Sequence, residues 1–284
     1  MSLLAIPNVS EGADRGVIDA LRGALSSSGS RVLDVHSDPI HGRSVFTVAG
    51  SADQLVEGLT SLASLAAQTI DLTKHHGVHP RLGALDVCPL VPSSGSMTEA
   101  IETARLTGRA IGERAGLPVY LYGAAATRQE NEELPALRRG GLEGLMSRSR
   151  EGLIPDFGPR EIEPTSGVVC VGARDVLVAF NVWVEGALDV LADVARKTRE
   201  QGLVRALGLR LDAGRGQISM NLIEPDLLGI DGAFARVEDL AGEAGLRIVG
   251  TEIVGLVPER FLPDPDAKAA RLLIAPGRSL ESQE

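Results

Sequence analysis

The sequence predicts an α+β fold of two βαββαβ halves, with mixed or antiparallel sheets carrying helices on one face. Three observations predict it. Over the first ninety residues the apolar pattern switches between period two and period 3.6 in the order strand, helix, strand, strand, helix, strand. The same order returns after residue 170. Finally, 44% hydrophobic residues with only 3% aromatic require a core of Leu, Val, Ile and Ala in regular elements rather than of large rings. A chain of 284 residues can bury two such cores. Its parts are assigned to residues 1–176 and 177–284.

LLAIPN, residues 3–8, reads as the first strand, and residues 13–25 place Val17, Ile18, Leu21, Ala24 and Leu25 on one helical face. RVLDV and RSVFTVAG follow as strands. Ser51 and Gln54 form a capping-box signature that opens a helix to about residue 69, with Leu55, Val56, Leu59, Leu62 and Ala66 on its apolar face. LGALDVCPLV closes the unit, which has the order of the ferredoxin-like split βαβ. In the second half VLVAFNVWV, a helix over 186–201, LVRALGLRL, GQISMNLI, a helix over 231–244 and LRIVGTEIVGLV repeat the order. Between the halves lie a helix over 97–115 opened by Ser96 and Glu99, the short strand PVYLY, and a Gly-, Pro- and Arg-rich stretch over 124–167. That stretch is long for a connection, which marks it as a candidate binding loop. The polar tail after Pro263 is expected to fray.

A net charge of −10 argues against a nucleic-acid partner. No apolar run approaches the roughly 20 residues of a membrane span, and the N-terminal residues lack the features of a secretion signal, so a cytoplasmic location is expected. Cys88 and Cys170 sit in apolar strand contexts and read as buried free thiols. Walker A, GxGxxG, GxSxG and CxxC patterns are absent.

In a βαββαβ unit one edge gathers the end of strand 1, the hairpin between strands 2 and 3, and the approach to strand 4. Here these are PNVSEG, HSDPIHGR and KHHGVHPR, and they hold all five histidines: His36, His41, His75, His76 and His79. Three imidazoles with Asp38 or Asp86 could ligate zinc. Gly77 and Pro80 argue for loop rather than helix there, HExxH is absent, and no metal is expected. General acid–base chemistry is the stronger reading, since an imidazole takes and returns a proton near neutral pH. Pro80 biases His79 toward an extended backbone, which helps fix its ring. Lys74, Arg43 and Arg81 gather on the same edge of an acidic chain, as an anionic small ligand would require. Asn8, Ser10 and Glu11 either bind ligand or cap the first helix. The residues alone thus describe a two-lobed enzyme using histidine chemistry on an anionic metabolite.

PNVSEG, HGRSVFTVAG, HHGVHPRLGALDVCPLVP, PVYLYG, PDFGP, GARDVLVAFNV and IVGLVP, in this order, resemble the glutamate formiminotransferase domain of the formiminotransferase–cyclodeaminase family over nearly the whole chain. The resemblance implies transfer of the formimino group from formiminoglutamate to N5 of tetrahydrofolate, the co-substrate, without the cyclodeaminase activity. It makes His79 the catalytic proton donor and acceptor and implies two lobes about a folate-binding tunnel. It makes Gly158, Pro159, Arg160, Glu161, Ile162, Glu163, Pro164, Thr165, Ser166 and Gly167 the folate loop. Arg43 and Arg81 become candidates for substrate carboxylates, with Asn8, His36, Asp38 and His41 around them. A homodimer is expected. The chain departs from the family pattern at His36, Ile40, Gly42 and Ser166, so the alternative is a folate- or anionic-metabolite-binding protein of the same fold.

Overall fold

The structure, a computed structural model, describes residues 3–283. The chain forms two compact units, one ending at Asp175 and one starting at Val176. The first contains β1 (Leu3–Ala5), β2 (Asn8–Val9), α1 (Arg15–Ser26), β3 (Arg31–Asp38), β4 (Arg43–Gly50), α2 (Ala52–Thr69), β5 (Leu85–Pro92), α3 (Met97–Ala110), β6 (Val119–Gly123), α4 (Leu134–Leu137), α5 (Gly141–Arg150) and β7 (Val169–Ala173). The second contains β8 (Val178–Glu185), α6 (Leu191–Thr198), β9 (Val204–Arg210), β10 (Arg215–Leu222), α7 (Ile230–Glu243), β11 (Arg247–Ile253), β12 (Leu256–Val257), α8 (Lys268–Arg271) and β13 (Arg278–Ser279).

Both units are α+β and both contain the βαββαβ arrangement. In the second, the sheet order β11-β8-β10-β9 is fully antiparallel. In the first, β3-β4-(β1, β2)-β5 is likewise antiparallel, and β7 and β6 extend it as parallel strands beyond β5. The predicted first strand is split in two at Ile6 and Pro7. Pro7 has no N–H to give to the ladder, and both pieces still lie between β4 and β5.

Helix starts follow their caps. Asp14 accepts from the Val17 N–H at 3.1 Å, so α1 begins at Arg15 rather than at residue 13. The Ser51–Gln54 box is reciprocal, with bonds of 3.3 and 2.9 Å. The predicted helix over 97–115 is α3 plus a final π turn over Ile111–Ala115, ended by Gly116 in the left-handed region. The helix expected over 186–201 is α6 flanked by 3₁₀ turns.

Leu21, Leu25, Leu55, Leu59 and Leu62 of α1 and α2 pack on Phe46, Leu90, Val119 and Val171 on one sheet face. Strand alternation sends Val87, Tyr120, Tyr122 and Cys170 to the other face, where Leu137 and Leu145 cover them. The stretch over 124–167 is therefore partly helical and part of the core. Leaving β5–β7–β6 bare on that face would expose two tyrosines and a cysteine.

Asp86 is the extra residue of a bulge: Val9 faces Leu85 and Asn8 faces Val87, so β5 gains one residue on β2. The tail after Pro263 is ordered through residue 283. β12 pairs in parallel with β13, and the Thr251 hydroxyl donates to the Ala269 carbonyl at 2.7 Å over a buried Ala269. Its apolar Ala269 and Leu272 anchor it, which its overall polarity hid. Among the described residues no helix is long and apolar enough to cross a membrane.

Candidate active site

Three segments of the first unit converge through hydrogen bonds onto backbone carbonyls. The Ser44 hydroxyl donates to the Glu11 carbonyl at 2.6 Å, joining β4 to the end of β2. The Val78 N–H donates to the Ile40 carbonyl at 3.1 Å, joining the hairpin to the histidine loop. The Ser10 hydroxyl donates to the Gly83 carbonyl at 2.7 Å, closing the ring. Glu11 accepts from the N–H groups of Ala13 and Asp14, so its carboxylate caps the start of α1 and is not aimed at a ligand.

The hairpin is shaped by Asp38, whose Oδ1 accepts from the Ile40 and His41 N–H groups at 2.7 and 2.9 Å. His75 stitches it to the loop: Nε2 donates to the Gly42 carbonyl at 2.8 Å and Nδ1 accepts from the Gly77 N–H at 3.0 Å. Both ring nitrogens are used on backbone, which removes His75 as a zinc ligand. His76 is exposed, and Lys74, with 82% of its side chain exposed, pairs with Asp71 at 3.0 Å.

His79 stands at the centre. Its Nδ1 lies 2.8 Å from the Pro80 carbonyl oxygen and its Nε2 lies 2.9 Å from Arg43 Nη1. A carbonyl can only accept and a guanidinium can only donate, so Nδ1 carries the proton and Nε2 presents its lone pair. The geometry thus requires a neutral ring of one tautomer. Burial, Arg43, Arg138 and His41 all push the His79 pKa well below its usual 6.5, against a small opposing effect of the Pro80 carbonyl. His41 stacks on it with ring centroids 5.8 Å apart, and the His41 Nε2 is 3.9 Å from an Asp38 carboxylate oxygen.

Arg43 is a half-buried cation whose buried Nε has no hydrogen-bond partner and which makes no ion pair among the described residues. Burial and the neighbouring Arg138 push its pKa down to about 10, with Asp86 partly restoring it. It remains charged at neutral pH, and an anion would relieve it. Asn8 and His36 lie on the same sheet face as Arg43, since both face Val45 across the ladder. Asn8 donates to the Ile6 carbonyl at 2.7 Å, and its buried Oδ1 has no partner. Arg81 is turned onto its own loop, donating to the carbonyls of Gly77 and, at 2.6 Å, His79.

Of the stretch Gly158–Gly167, the second half reaches the histidine segment and the first does not. The Leu72 N–H donates to the Thr165 carbonyl and the Ala84 N–H to the Ser166 carbonyl, and Gly167 bridges Gly83. Gly158 instead packs on Leu117 and on Gly112 of the π turn. Ile162 is buried, while Pro159, Arg160, Glu161, Glu163, Pro164 and Thr165 are exposed.

A family model described as the formiminotransferase domain, N-terminal subdomain, matches residues 2–174, and one described as the formiminotransferase domain matches residues 179–270. The chain belongs to this formiminotransferase family. Its relatives include a glutamate formimidoyltransferase of Streptococcus pyogenes serotype M1, 39% identical over 268 residues that cover 91% of this chain and 90% of that one. A glutamate formimidoyltransferase of Thermoplasma acidophilum is 37% identical, covering 93% of this chain and 91% of that one. A formimidoyltransferase-cyclodeaminase of Sus scrofa is 39% identical over 92% of this chain, which spans about half, 51%, of the longer protein.

Two members of this candidate site are not evident from sequence. Asp86 enters there only as a possible zinc ligand, and nothing singles out Arg138. Their carboxylate and guanidinium are paired, with Asp86 2% exposed. The one signal is that Arg138 falls in the Arg-rich stretch marked as a candidate binding loop.

The neutral ring bears on stability. A histidine whose folded pKa lies below 6.5 binds more protons unfolded than folded, so its contribution is complete above that value and is lost as pH falls below it. His75 is shifted in the same direction, chiefly by burial. The urea midpoint should fall between about pH 7 and about pH 5, and His79→Gln should fall less over that interval. An equal fall in both proteins would exclude His79 as a source.

Proposed function

We propose that the protein is a glutamate formimidoyltransferase, moving the formimino group of N-formimidoyl-L-glutamate to N5 of tetrahydrofolate to give 5-formimidoyltetrahydrofolate and glutamate. One observation carries the reading: a neutral imidazole of defined tautomer whose Nε2 lone pair accepts from Arg43, a half-buried cation with no ion pair among the described residues. The names of the full-length matches support it.

In this reading a substrate carboxylate binds Arg43 and draws its N–H away from His79 Nε2. N5 attacks the formimino carbon, and His79 takes the N5 proton as the tetrahedral carbon forms. The carbon–nitrogen bond to glutamate then breaks as His79 returns that proton to the departing nitrogen. A depressed pKa suits this shuttle, because the imidazolium formed is a stronger acid than free imidazolium and gives up its proton readily. The backbone of 165–168, fastened beside the histidine segment, supports placing the folate there. We further read the protein as a cytoplasmic homodimer of histidine degradation and one-carbon metabolism; Leu207, 42% exposed on the edge strand β9, supports a pairing surface.

Purified protein mixed with formiminoglutamate and tetrahydrofolate should generate, after acid treatment, the absorbance of methenyltetrahydrofolate. Tight binding of folinic acid without any such product would replace the enzyme by a folate-binding protein of the same fold.

A further inference from the structure

We propose that Arg138, anchored by Asp86, is a positioning residue for His79 that acts through the carbonyl of Pro80. The proposal rests on the reading of His79 as the proton shuttle.

The Pro80 carbonyl oxygen accepts two bonds, one from His79 Nδ1 at 2.8 Å and one from Arg138 Nη1 at 2.8 Å. The second fixes the direction of the first. Pro80 is exposed and lies in a loop, so no ladder orients its carbonyl, whereas Arg138 reaches it from the end of α4. The other arm of the same guanidinium pairs with Asp86, and the remaining Asp86 oxygen accepts from the Leu82 N–H at 2.7 Å. One ion pair therefore clamps the loop at both Pro80 and Leu82, on the two sides of Arg81. The bulge in β5 puts Asp86 in place to do this.

A purely stabilising role explains the pair poorly. Buried ion pairs contribute little net stability against desolvation, and here the guanidinium leaves its buried Nε without a partner. The arrangement instead helps set the His79 tautomer: a held carbonyl beside Nδ1 accepts only from an Nδ1–H, as Arg43 donates to Nε2 from the other side. The charges that face His79 are Arg43 from β4, His41 from the hairpin and Arg138 from α4. Arg138 is the one among them that also holds the Pro80 carbonyl.

Histidine-selective ¹⁵N spectra of the ligand-free protein test this without turnover, His79→Gln assigning the signal among five histidines. Wild-type His79 should show a protonated Nδ1 and a bare Nε2, and Arg138→Met should mix in the other tautomer. In the same variant kcat should fall by about 10²-fold, as for a misplaced catalytic group, and the acid limb of kcat/KM should move up toward pH 6.5. Arg138→Lys, which keeps the charge but cannot bridge both partners, should hold the limb and lose part of kcat. Should Arg138→Met fail to fold, Arg138→Lys decides alone, a single unchanged tautomer with unchanged kcat overturning the proposal. An unmoved tautomer and limb in a folded Arg138→Met of lower Tm would make Arg138 a brace only. Absence of transferase activity in the wild type would remove the functional reading, while the spectra would still decide the tautomer.

Discussion

His79→Ala should leave a folded protein whose formimidoyl transfer is slower by roughly 10²–10⁴-fold, the usual contribution of a positioned acid–base group. The ring is only partly buried, and the contacts that shape its loop, His75 on Gly42 and Asp86 on Leu82, do not involve it. Truncation also strips the acceptor from Arg43 Nη1, so substrate affinity can change with the rate. His79→Gln separates the two effects, since a side-chain carbonyl can receive the Arg43 N–H yet cannot cycle a proton. The glutamine variant should bind folinic acid by calorimetry within a few-fold of wild type and share the loss in kcat. A rate within a factor of a few of wild type in both variants would remove His79 from the mechanism.

The second large effect is on stability. Gly83 and Gly167 face each other in an isolated antiparallel bridge that fastens the end of the histidine segment to the 158–167 stretch. A Cβ on Gly83 would run into the Val168 carbonyl and sit 2.8 Å from the Leu85 carbonyl, both of them backbone atoms that cannot rotate away. Gly83→Ala should cost about 3 kcal/mol, of the order of severe overpacking, and lower Tm by roughly 6–12 °C for a unit of this size. Gly23, inside α1 with nothing within 4 Å of where a methyl group would sit, provides the opposite sign. Gly23→Ala should raise stability by about 0.5–1 kcal/mol. Calorimetric scans of the two variants side by side check the contrast, and a Gly83→Ala protein melting with wild type would mean the bridge yields.

Much of this was readable in the chain. Period and caps located most of the strands and the starts of α2 and α3, because those signals are local. The convergence of PNVSEG, the hairpin and the histidine loop followed from topology, since a βαββαβ unit leaves those junctions nowhere else to meet. Arg43 and His79 were legible as residue types on that edge. What stayed hidden depends on contacts between distant positions. The bulge that redirects Asp86 arises from how β2 and β5 register, not from the composition of either strand. Arg138 meets Asp86 across 52 positions of chain. The pairing of β7 with β5, which makes residues 124–167 a crossover layer rather than a loop, required knowing which edge of the sheet was open. The ordered tail likewise shows itself only once Thr251 is seen to hold Ala269.

Besides the buried Ile162, the stretch from Gly158 to Gly167 is held by main-chain atoms: the carbonyls of Glu163, Thr165 and Ser166 accept from Gly167, Leu72 and Ala84. Six of its side chains point into solvent and contribute nothing to its anchoring. Mutational tolerance and geometric constancy can therefore coexist in one segment. Pro159, Arg160, Glu161, Glu163, Pro164 and Thr165 could drift or be randomised without the chain losing its shape there, so selection can retune what this rim of the protein greets while the scaffold stays as it is.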